Sequence, residues 1–279
     1  MSYYRLLGLA CEPFSTSPDP AFLYLSPIHR AALFRLRIAI ELKRGLSLVI
    51  GDIGTGKTTL ARKLSQIFYE DARFDFHVIL NPMHHHKDEF LKILTTIFHL
   101  GMEEESINPV ECLHGLEKYL FQKGVEEGKT VVLLVDEAQQ LSRQALEILR
   151  ALLNYETNEH KLLQVILFGQ VELGTKLLET PNFWDRICLK LSIPPLHERQ
   201  TFEMIEYRLT QARYHGRHPL FTADAVSEIY RKTQGYPRRI TMLCHDALEF
   251  CVMTDRKQVD RRVIREVTKQ QNELIEAIK

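Results

Sequence analysis

Residues 46–58 read Leu-Ser-Leu-Val-Ile-Gly-Asp-Ile-Gly-Thr-Gly-Lys-Thr, so that a short apolar run passes directly into a glycine-rich loop ending in lysine and threonine. The last eight residues fit the pattern GxxxxGK(S/T), and a helix-forming stretch follows them. Glycines let the backbone fold so that successive N–H groups point at a phosphate, and the helix N-terminus adds partial positive charge. The stretch therefore predicts a strand, a phosphate-binding loop and a helix, in that order.

The residues of this loop have distinct chemical roles when the phosphates belong to ATP. Lys57 is expected to neutralise the β- and γ-phosphates, and the hydroxyl group of Thr58 is expected to coordinate Mg²⁺. The residues expected to bind the nucleotide are Gly51, Asp52, Ile53, Gly54, Thr55, Gly56, Lys57, Thr58 and Thr59.

A second element supplies carboxylates. Residues 131–137 read Val-Val-Leu-Leu-Val-Asp-Glu, a buried strand that ends in Asp136 and Glu137. Ligands of open α/β sheets bind at the carboxyl ends of the strands, so Asp136 is expected to hold Mg²⁺ and Glu137 to activate the attacking water. A third strand, residues 163–169, ends at Gln170, whose side chain is a candidate for positioning that water. The alternative is an amide that caps the following turn.

Apolar runs and helical patterns alternate along the first part of the chain. The apolar runs that read as strands are residues 46–50, 78–80, 131–135 and 165–168. Stretches with helical character lie at 58–68, 88–99, 110–121 and 142–153. Strands that alternate with helices predict an α/β fold, a three-layer αβα core with a parallel sheet covered on both faces.

The strand pattern ends near residue 201, and helical segments follow at 201–212, 222–233, 237–253 and 260–278. They predict a separate all-helical domain. The expected organisation is an N-terminal arm of residues 1–25, a nucleotide-binding domain of residues 26–198 and a helical domain of residues 199–279.

The composition excludes several classes of protein. With 45% hydrophobic and 26% charged residues and a formal net charge of zero, the 279 residues resemble soluble globular proteins rather than disordered or fibrous ones. No stretch approaches the roughly 18 uncharged apolar residues of a membrane span, and the N-terminus lacks a signal-peptide pattern. Five cysteines without a CxxC pair predict reduced, buried thiols in a cytoplasmic chain.

Three further stretches carry a resemblance to a known family: residues 13–27 (PFSTSPDPAFLYLSP), 135–139 (VDEAQ), and 152–157 (LLNYET) leading to 168–173 (FGQVEL). With the phosphate-binding loop, they make the chain similar to AAA+ ATPases, and most to the ExeA type (general secretion pathway protein A), up to about residue 250. Val171 departs from the proline usual there. The resemblance implies an αβα nucleotide domain, a helical lid, ATP bound between them, and homo-oligomers whose neighbouring subunits complete each site.

The same resemblance makes two arginines candidates for catalysis. Residues 235–238 (GYPR) match the family's lid motif, in which Arg238 would reach the γ-phosphate, with Arg239 as the second choice. Arg186, within residues 184–187 (WDRI), matches the position from which these proteins send an arginine into the next subunit's site. A planar guanidinium group suits both roles because it stabilises charge on phosphoryl oxygens. The alternative for each is a solvated surface arginine.

Two other features have simpler interpretations. His84–His86 are consecutive, so they cannot easily converge on one ion, and a solvated loop is expected. Tyr24, Leu25 and Ile28 would form either an adenine pocket or part of the core.

The predicted activity is Mg²⁺-dependent ATP hydrolysis by a molecular switch or motor. ExeA-like motifs favour support of a secretion or pilus-type assembly system, with docking on an unidentified, membrane-bound protein. Family members that give the type its name continue into a membrane span and a peptidoglycan-binding part, and that role is not carried over. The alternative is a DNA-binding ATPase that regulates transposition, because residues 199–269 carry 14 Lys/Arg against nine Asp/Glu. Binding of nucleotide without turnover is a third interpretation, against which Glu137 argues.

Overall fold

A computed structural model describes residues 3–15, 20–82, 87–101 and 108–278. His84–His86 and residues 16–19 of the motif at 13–27 lie outside the described residues. The chain divides into two compact units. The sheet unit comprises Pro27–Ile53 and Lys57–Ile193, and the helical unit comprises Met1–Ser26, Gly54–Gly56 and Pro194–Lys279.

The sheet unit is built on a five-stranded sheet in which every neighbouring pair is parallel. The strands are β1 (Leu46–Ile50), β2 (Phe74–Ile79), β3 (Thr130–Val135), β4 (Leu163–Gly169) and β5 (Ile187–Ser192), in the spatial order β2-β3-β4-β1-β5. Each residue of β3 and β4 is buried, which is expected of central strands covered on both faces.

Helices connect the strands and cover the sheet. In chain order the helices of the protein are α1 (Tyr3–Leu6), α2 (Pro27–Glu41), α3 (Lys57–Tyr69), α4 (Lys87–Ile97), α5 (Pro109–Phe121), α6 (Arg143–Leu152), α7 (Val171–Leu178), α8 (Pro181–Trp184), α9 (Glu198–Gln211), α10 (Ala223–Thr233), α11 (Pro237–Met253) and α12 (Arg261–Ile278). Alternate residues of β3 divide between the two faces: Val131, Leu133 and Val135 join a core with α4, α5 and α6, while Val132 and Leu134 are buried on the other face. The predicted three-layer αβα architecture is confirmed.

The two outer strands differ from the sequence expectation. β5 was not predicted, and β2 begins at Phe74 rather than near residue 78. Both carry polar side chains at alternate positions, such as Asp75 and His77 in β2 and Lys190 in β5, so neither presents a continuous apolar run. Each pairs with only one neighbour, and an edge strand tolerates such polar positions.

The helical unit contains α1 and the four helices α9–α12. The four C-terminal helices follow the predicted segments closely, and the all-helical part of the fold is confirmed. Leu9 and Phe14 of the N-terminal segment are buried in the same core as these helices. The helical unit begins again at Pro194, five residues before the predicted start of the helical domain at residue 199.

The five cysteines divide into buried and exposed thiols. Cys112, Cys244 and Cys251 are buried, but Cys11 and Cys188 are exposed, so the expectation of buried thiols was wrong for these two. Cys188 lies on an edge strand whose alternate residues face solvent. Among the described residues, no helix is both long enough and apolar enough to cross a membrane.

Candidate nucleotide-binding site

The loop after β1 holds a buried lysine. Lys57 is the first residue of α3 and is only 6% exposed. Its Nζ donates to the carbonyl oxygens of Gly51 at 2.8 Å and Asp52 at 2.9 Å. Burial lowers the pKa of Lys57, and the nearby carboxylates of Glu137 and Asp136 oppose that shift. The ammonium group is thus folded onto the loop at the N-terminus of a helix, where it can contact an anion held by backbone N–H groups.

The loop backbone requires glycine at two of its positions. Gly54 has φ +82° and Gly56 has φ +99°, a region that other residues rarely adopt. Among the remaining predicted nucleotide-binding residues, Thr55 is buried, Asp52 and Ile53 are exposed, and Thr58 and Thr59 lie half-buried in the first turn of α3.

Asp136 follows the last residue of β3 and is 2% exposed. Burial raises its pKa, while hydrogen bonds from the Thr58 side chain and from the Glu137 backbone N–H, the latter at 2.9 Å, lower it. The structure therefore brings Thr58 and Asp136 together. A hydroxyl and a carboxylate oxygen are hard ligands that suit Mg²⁺, so these two side chains fit the predicted metal site.

Glu137 occupies an uncommon backbone conformation. Its φ of +51° and ψ of +36° are left-handed, which is rare for a residue other than glycine and is found at functional sites. Its Oε2 accepts a hydrogen bond from Gln139 Nε2 at 2.6 Å and a longer one from Gln170 Nε2 at 3.5 Å. The carboxylate also acts on the pKa of Lys57, so the two charges lie near each other.

Gln170 does not act as a side-chain cap. It is the residue before α7, and its side chain makes no capping hydrogen bond. Its Nε2 instead contacts Glu137 Oε2, and its backbone N–H donates to Gln139 Oε1 at 3.1 Å. The capping alternative raised from the sequence is therefore not observed, and Gln170 joins the group around Glu137.

Gln139 and Lys176 also belong to this group, although neither was predicted as a site residue. Gln139 stands in the quoted motif VDEAQ, and its amide contacts both Glu137 and Gln170. Lys176 of α7 donates to the carbonyl oxygens of Leu141 and Gln139. A polar residue two positions after Glu137 was a signal for the first. Nothing in the local sequence pointed to the second, because its contact depends on how α7 packs.

Arg238 and Arg239, the two arginines of the predicted lid motif, lie at the start of α11 in the helical unit. The backbone N–H of Arg238 donates to the carbonyl oxygen of Gly54, which belongs to the same unit, at 3.2 Å, and its side chain is exposed. The guanidinium group of Arg239 lies 4.5 Å from the ring centroid of Tyr236. This cation–π contact occupies Arg239, so Arg238 is the better candidate of the two.

Arg186 lies at the amino-terminal ends of the strands, whereas Lys57 lies beyond their carboxyl ends. It directly precedes β5, and Ile187 is in register with Leu46 at the start of β1, whereas the phosphate-binding loop follows the end of β1. The five residues of β1 separate these two ends of the sheet by about 16 Å along the strand. Arg186 also acts on the pKa of Glu156. The structure does not bring Arg186 together with Lys57 of its own chain.

The three candidate adenine residues are divided between the two units. The Tyr24 hydroxyl donates to Glu203, and its ring packs on the core of the helical unit. Leu25 is half-buried in the helical unit, and Ile28 is half-buried in α2 of the sheet unit. The adenine pocket stays a prediction.

Comparison with known proteins gives a consistent family. A model of the AAA domain matches residues 40–177. General secretion pathway protein A of Aeromonas hydrophila is 35% identical over 249 residues, which are 88% of this chain and 44% of that protein. The chain therefore spans less than half the length of this relative.

Two solved structures share the fold. Cdc6p of Pyrobaculum aerophilum has a TM-score of 0.70 and 17% identity, with 90% of this chain and 70% of that chain covered. Drosophila ORC bound to DNA has a TM-score of 0.65 and 21% identity, with 95% and 65% covered. The match to the AAA domain and the 35% identity to general secretion pathway protein A, together with the phosphate-binding loop and the carboxylates that follow β3, show that the chain belongs to the AAA+ ATPases.

Proposed function

We propose that this chain hydrolyses ATP with Mg²⁺ and acts as a nucleotide-driven switch. The observation that carries the proposal is the convergence of Lys57, Thr58 and Asp136 with Glu137 at the ends of two parallel strands. Each side chain has the chemistry that its place requires, since phosphoryl transfer depends on positioning and on stabilising negative charge.

The roles follow from the contacts. Lys57 and the backbone of the loop bind the β- and γ-phosphates, and Thr58 with Asp136 would hold Mg²⁺, which neutralises charge on the phosphates when bound. Glu137 accepts a proton from the attacking water, and Gln170 assists in orienting that water. Arg238, whose backbone contacts Gly54, is proposed to reach the γ-phosphate and to report its presence to α11.

Glu137→Gln tests this assignment. The substitution keeps the shape of the side chain but removes the base, so ATP binding should stay within about twofold while turnover falls about a hundredfold or more. Turnover is measured by phosphate release and binding by fluorescent ATP. Glu70→Gln, which changes an exposed carboxylate directly after α3, is the matched control. A Glu137→Gln variant with the wild-type rate would show that the assignment is wrong.

Arg186 is proposed to act in a neighbouring subunit of a homo-oligomer, because Lys57 of the same chain lies beyond the opposite ends of the strands. Mixing two inactive variants tests this directly. Arg186→Ala subunits keep an intact site, and Glu137→Gln subunits keep an intact Arg186, so a mixture should recover turnover that neither has alone. Arg73→Ala, which removes an exposed arginine paired with Asp71, should be fully active by itself. No recovery on mixing would refute action in trans.

For the biological role we propose support of a secretion or pilus-type assembly system from the cytoplasmic side, through a protein partner in the membrane. The support is the 35% identity to general secretion pathway protein A. The Glu137→Gln variant should trap the ATP-bound state and so retain that partner during purification from membranes, whereas a Lys57→Met variant should not. Equal recovery of membrane proteins with both variants would contradict a nucleotide-dependent partner.

A DNA-dependent function is the second candidate. Arg231, Lys232, Arg265 and Lys269 line a cleft of about 460 Å³ between α10 and α12. Nearly buried Glu228 pairs with Arg231 and Arg265, which reduces the positive charge available to phosphates. Duplex DNA should stimulate the wild-type ATPase at low salt and should not stimulate a Lys232→Ala/Lys269→Ala variant. Equal rates with and without DNA would exclude it.

A further inference from the structure

The side chain of Gln139 joins the ends of two neighbouring strands. It lies in the 3-10 turn Ala138–Gln140, directly after Glu137 at the end of β3. Its Nε2 donates to Glu137 Oε2 at 2.6 Å, and its Oε1 accepts the backbone N–H of Gln170, after β4, at 3.1 Å. One amide therefore uses its donor on the carboxylate and its acceptor on the next strand end.

Gln139 Nε2 and Gln170 Nε2 both donate to the same carboxylate oxygen of Glu137, Oε2. The terminal torsion of a glutamate is otherwise broad, so holding one oxygen fixes how the carboxylate is turned. The second oxygen, Oε1, is then presented in a defined direction. A general base needs such an orientation, because proton transfer requires the base to lie within about 2.6–3.2 Å of the water.

The backbone that carries Gln139 is also held in place. Lys176 donates to the carbonyl oxygens of Leu141 and, at 3.5 Å, of Gln139, and burial together with nearby Arg143 lowers the pKa of Lys176. Within the turn, the N–H of Gln140 donates to the carbonyl oxygen of Glu137 at 3.0 Å. These hydrogen bonds hold the backbone of the turn, and so they restrict where the side-chain amide of Gln139 can lie.

We infer that Gln139 is a positioning residue for ATP hydrolysis. It orients the carboxylate of Glu137 toward the attacking water and connects that carboxylate to Gln170 at the end of β4. A shift of Gln170 that accompanies loss of the γ-phosphate would then be transmitted to the base through one side chain. The inference rests on the proposed function, because it assigns Glu137 the role of base.

Substitution of Gln139 tests the inference. Gln139→Met keeps the length of the side chain but removes both hydrogen bonds, so kcat should fall about tenfold while KM for ATP stays within about twofold. Gln139→Glu can still accept the N–H of Gln170 but cannot donate to Glu137, so it should be impaired at least as much. Gln140→Met, at the exposed neighbouring position of the same turn, is the matched control and should retain the wild-type rate.

A double-substitution cycle separates positioning from a structural effect. If Gln139 acts through the base, adding Gln139→Met to Glu137→Gln should change the residual rate by less than about twofold. A tenfold loss in both backgrounds, or a wild-type rate for Gln139→Glu, would overturn the inference. If Glu137→Gln is inactive and Gln139→Met is fully active, the inference fails and the proposed function stands. If Glu137→Gln itself has the wild-type rate, the proposed function fails first.

Discussion

Gly169 lies next to the phosphate-binding loop, to Gln139 and to Leu173 of α7, and adding a methyl group there tests how tightly these parts pack. It ends β4, and its carbonyl oxygen accepts the N–H of Gly51 at 3.2 Å. A Cβ atom at position 169 would lie 2.5 Å from Leu173 Cδ2, 3.1 Å from Leu173 Cβ and 3.2 Å from Gln139 Oε1. Leu173 is completely buried, so it cannot turn aside freely.

Gly169→Ala should therefore lower the free energy of unfolding by about 1–3 kcal/mol, as overpacking of a filled core does. Gly174→Ala is the matched control, because a Cβ atom there would lie 3.7 Å from Ile50 Cδ1, an ordinary contact, within α7. Alanine is a better helix former than glycine, so this control should gain about 0.5–1 kcal/mol. The two variants should differ by roughly 1.5–4 kcal/mol.

Urea unfolding followed by circular dichroism measures this difference. With a slope of about 2 kcal/mol per M, the two midpoints should lie about 1–2 M apart. Turnover provides a second readout, since displacement of Gln139 should slow Gly169→Ala but leave Gly174→Ala at the wild-type rate. Equal midpoints for Gly169→Ala and the wild-type protein would refute the packing argument, because the contacts at 2.5 and 3.1 Å could then relax without cost.

Three further predictions concern single groups. Lys57→Met should weaken ATP binding about tenfold to a hundredfold in fluorescence titrations, because charged hydrogen bonds to the phosphates are lost, and unchanged affinity would contradict the site. Burial raises the pKa of Asp136 in the folded protein above its value in the unfolded chain. Above the folded-state pKa the buried carboxylate is ionised and lowers the stability of the folded state. This loss of stability disappears at lower pH, where the group is protonated in both the folded and the unfolded state. Asp136→Asn should therefore raise the melting temperature of nucleotide-free protein near pH 7.5, with a gain that shrinks toward about pH 4. A thiol reagent should label Cys11 and Cys188 quickly in the folded protein and the other three cysteines only after unfolding. Those three thiols are buried, and burial raises the pKa of Cys251 to about 11. Fast labelling of all five cysteines would contradict the described burial.

Most of the fold could be predicted because its signals are local. The central strands β3 and β4 contain the apolar runs 131–135 and 165–168, and the four C-terminal helices carry clear helical periodicity, so both sets of elements were predicted close to their observed bounds. The edge strand β5 was missed because Lys190 interrupts its apolar run. Its pairing with β1 supplies hydrogen bonds that compensate for the weak pattern, and that compensation is visible only in the sheet.

The candidate site shows the same division. The residues of the phosphate-binding loop follow one another in the chain, so their chemistry could be assigned from spacing alone. Burial of Lys57, the hydrogen bond between Thr58 and Asp136, and the exposed thiols of Cys11 and Cys188 depend on what surrounds each side chain. Environments of this kind come from residues distant in sequence, and no local pattern encodes them.

By itself, the sequence from residue 46 to residue 58 determined that a strand, a phosphate-binding loop and a helix occur together, since glycine, lysine and threonine at fixed spacing have few other uses. The sequence of residues 131–137 likewise determined that the carboxylates of Asp136 and Glu137 stand at a strand end. Only the tertiary structure decided that Gln139 and Gln170 converge on one oxygen of Glu137. The register of β3 against β4 sets that distance, and register is a property of the assembled sheet.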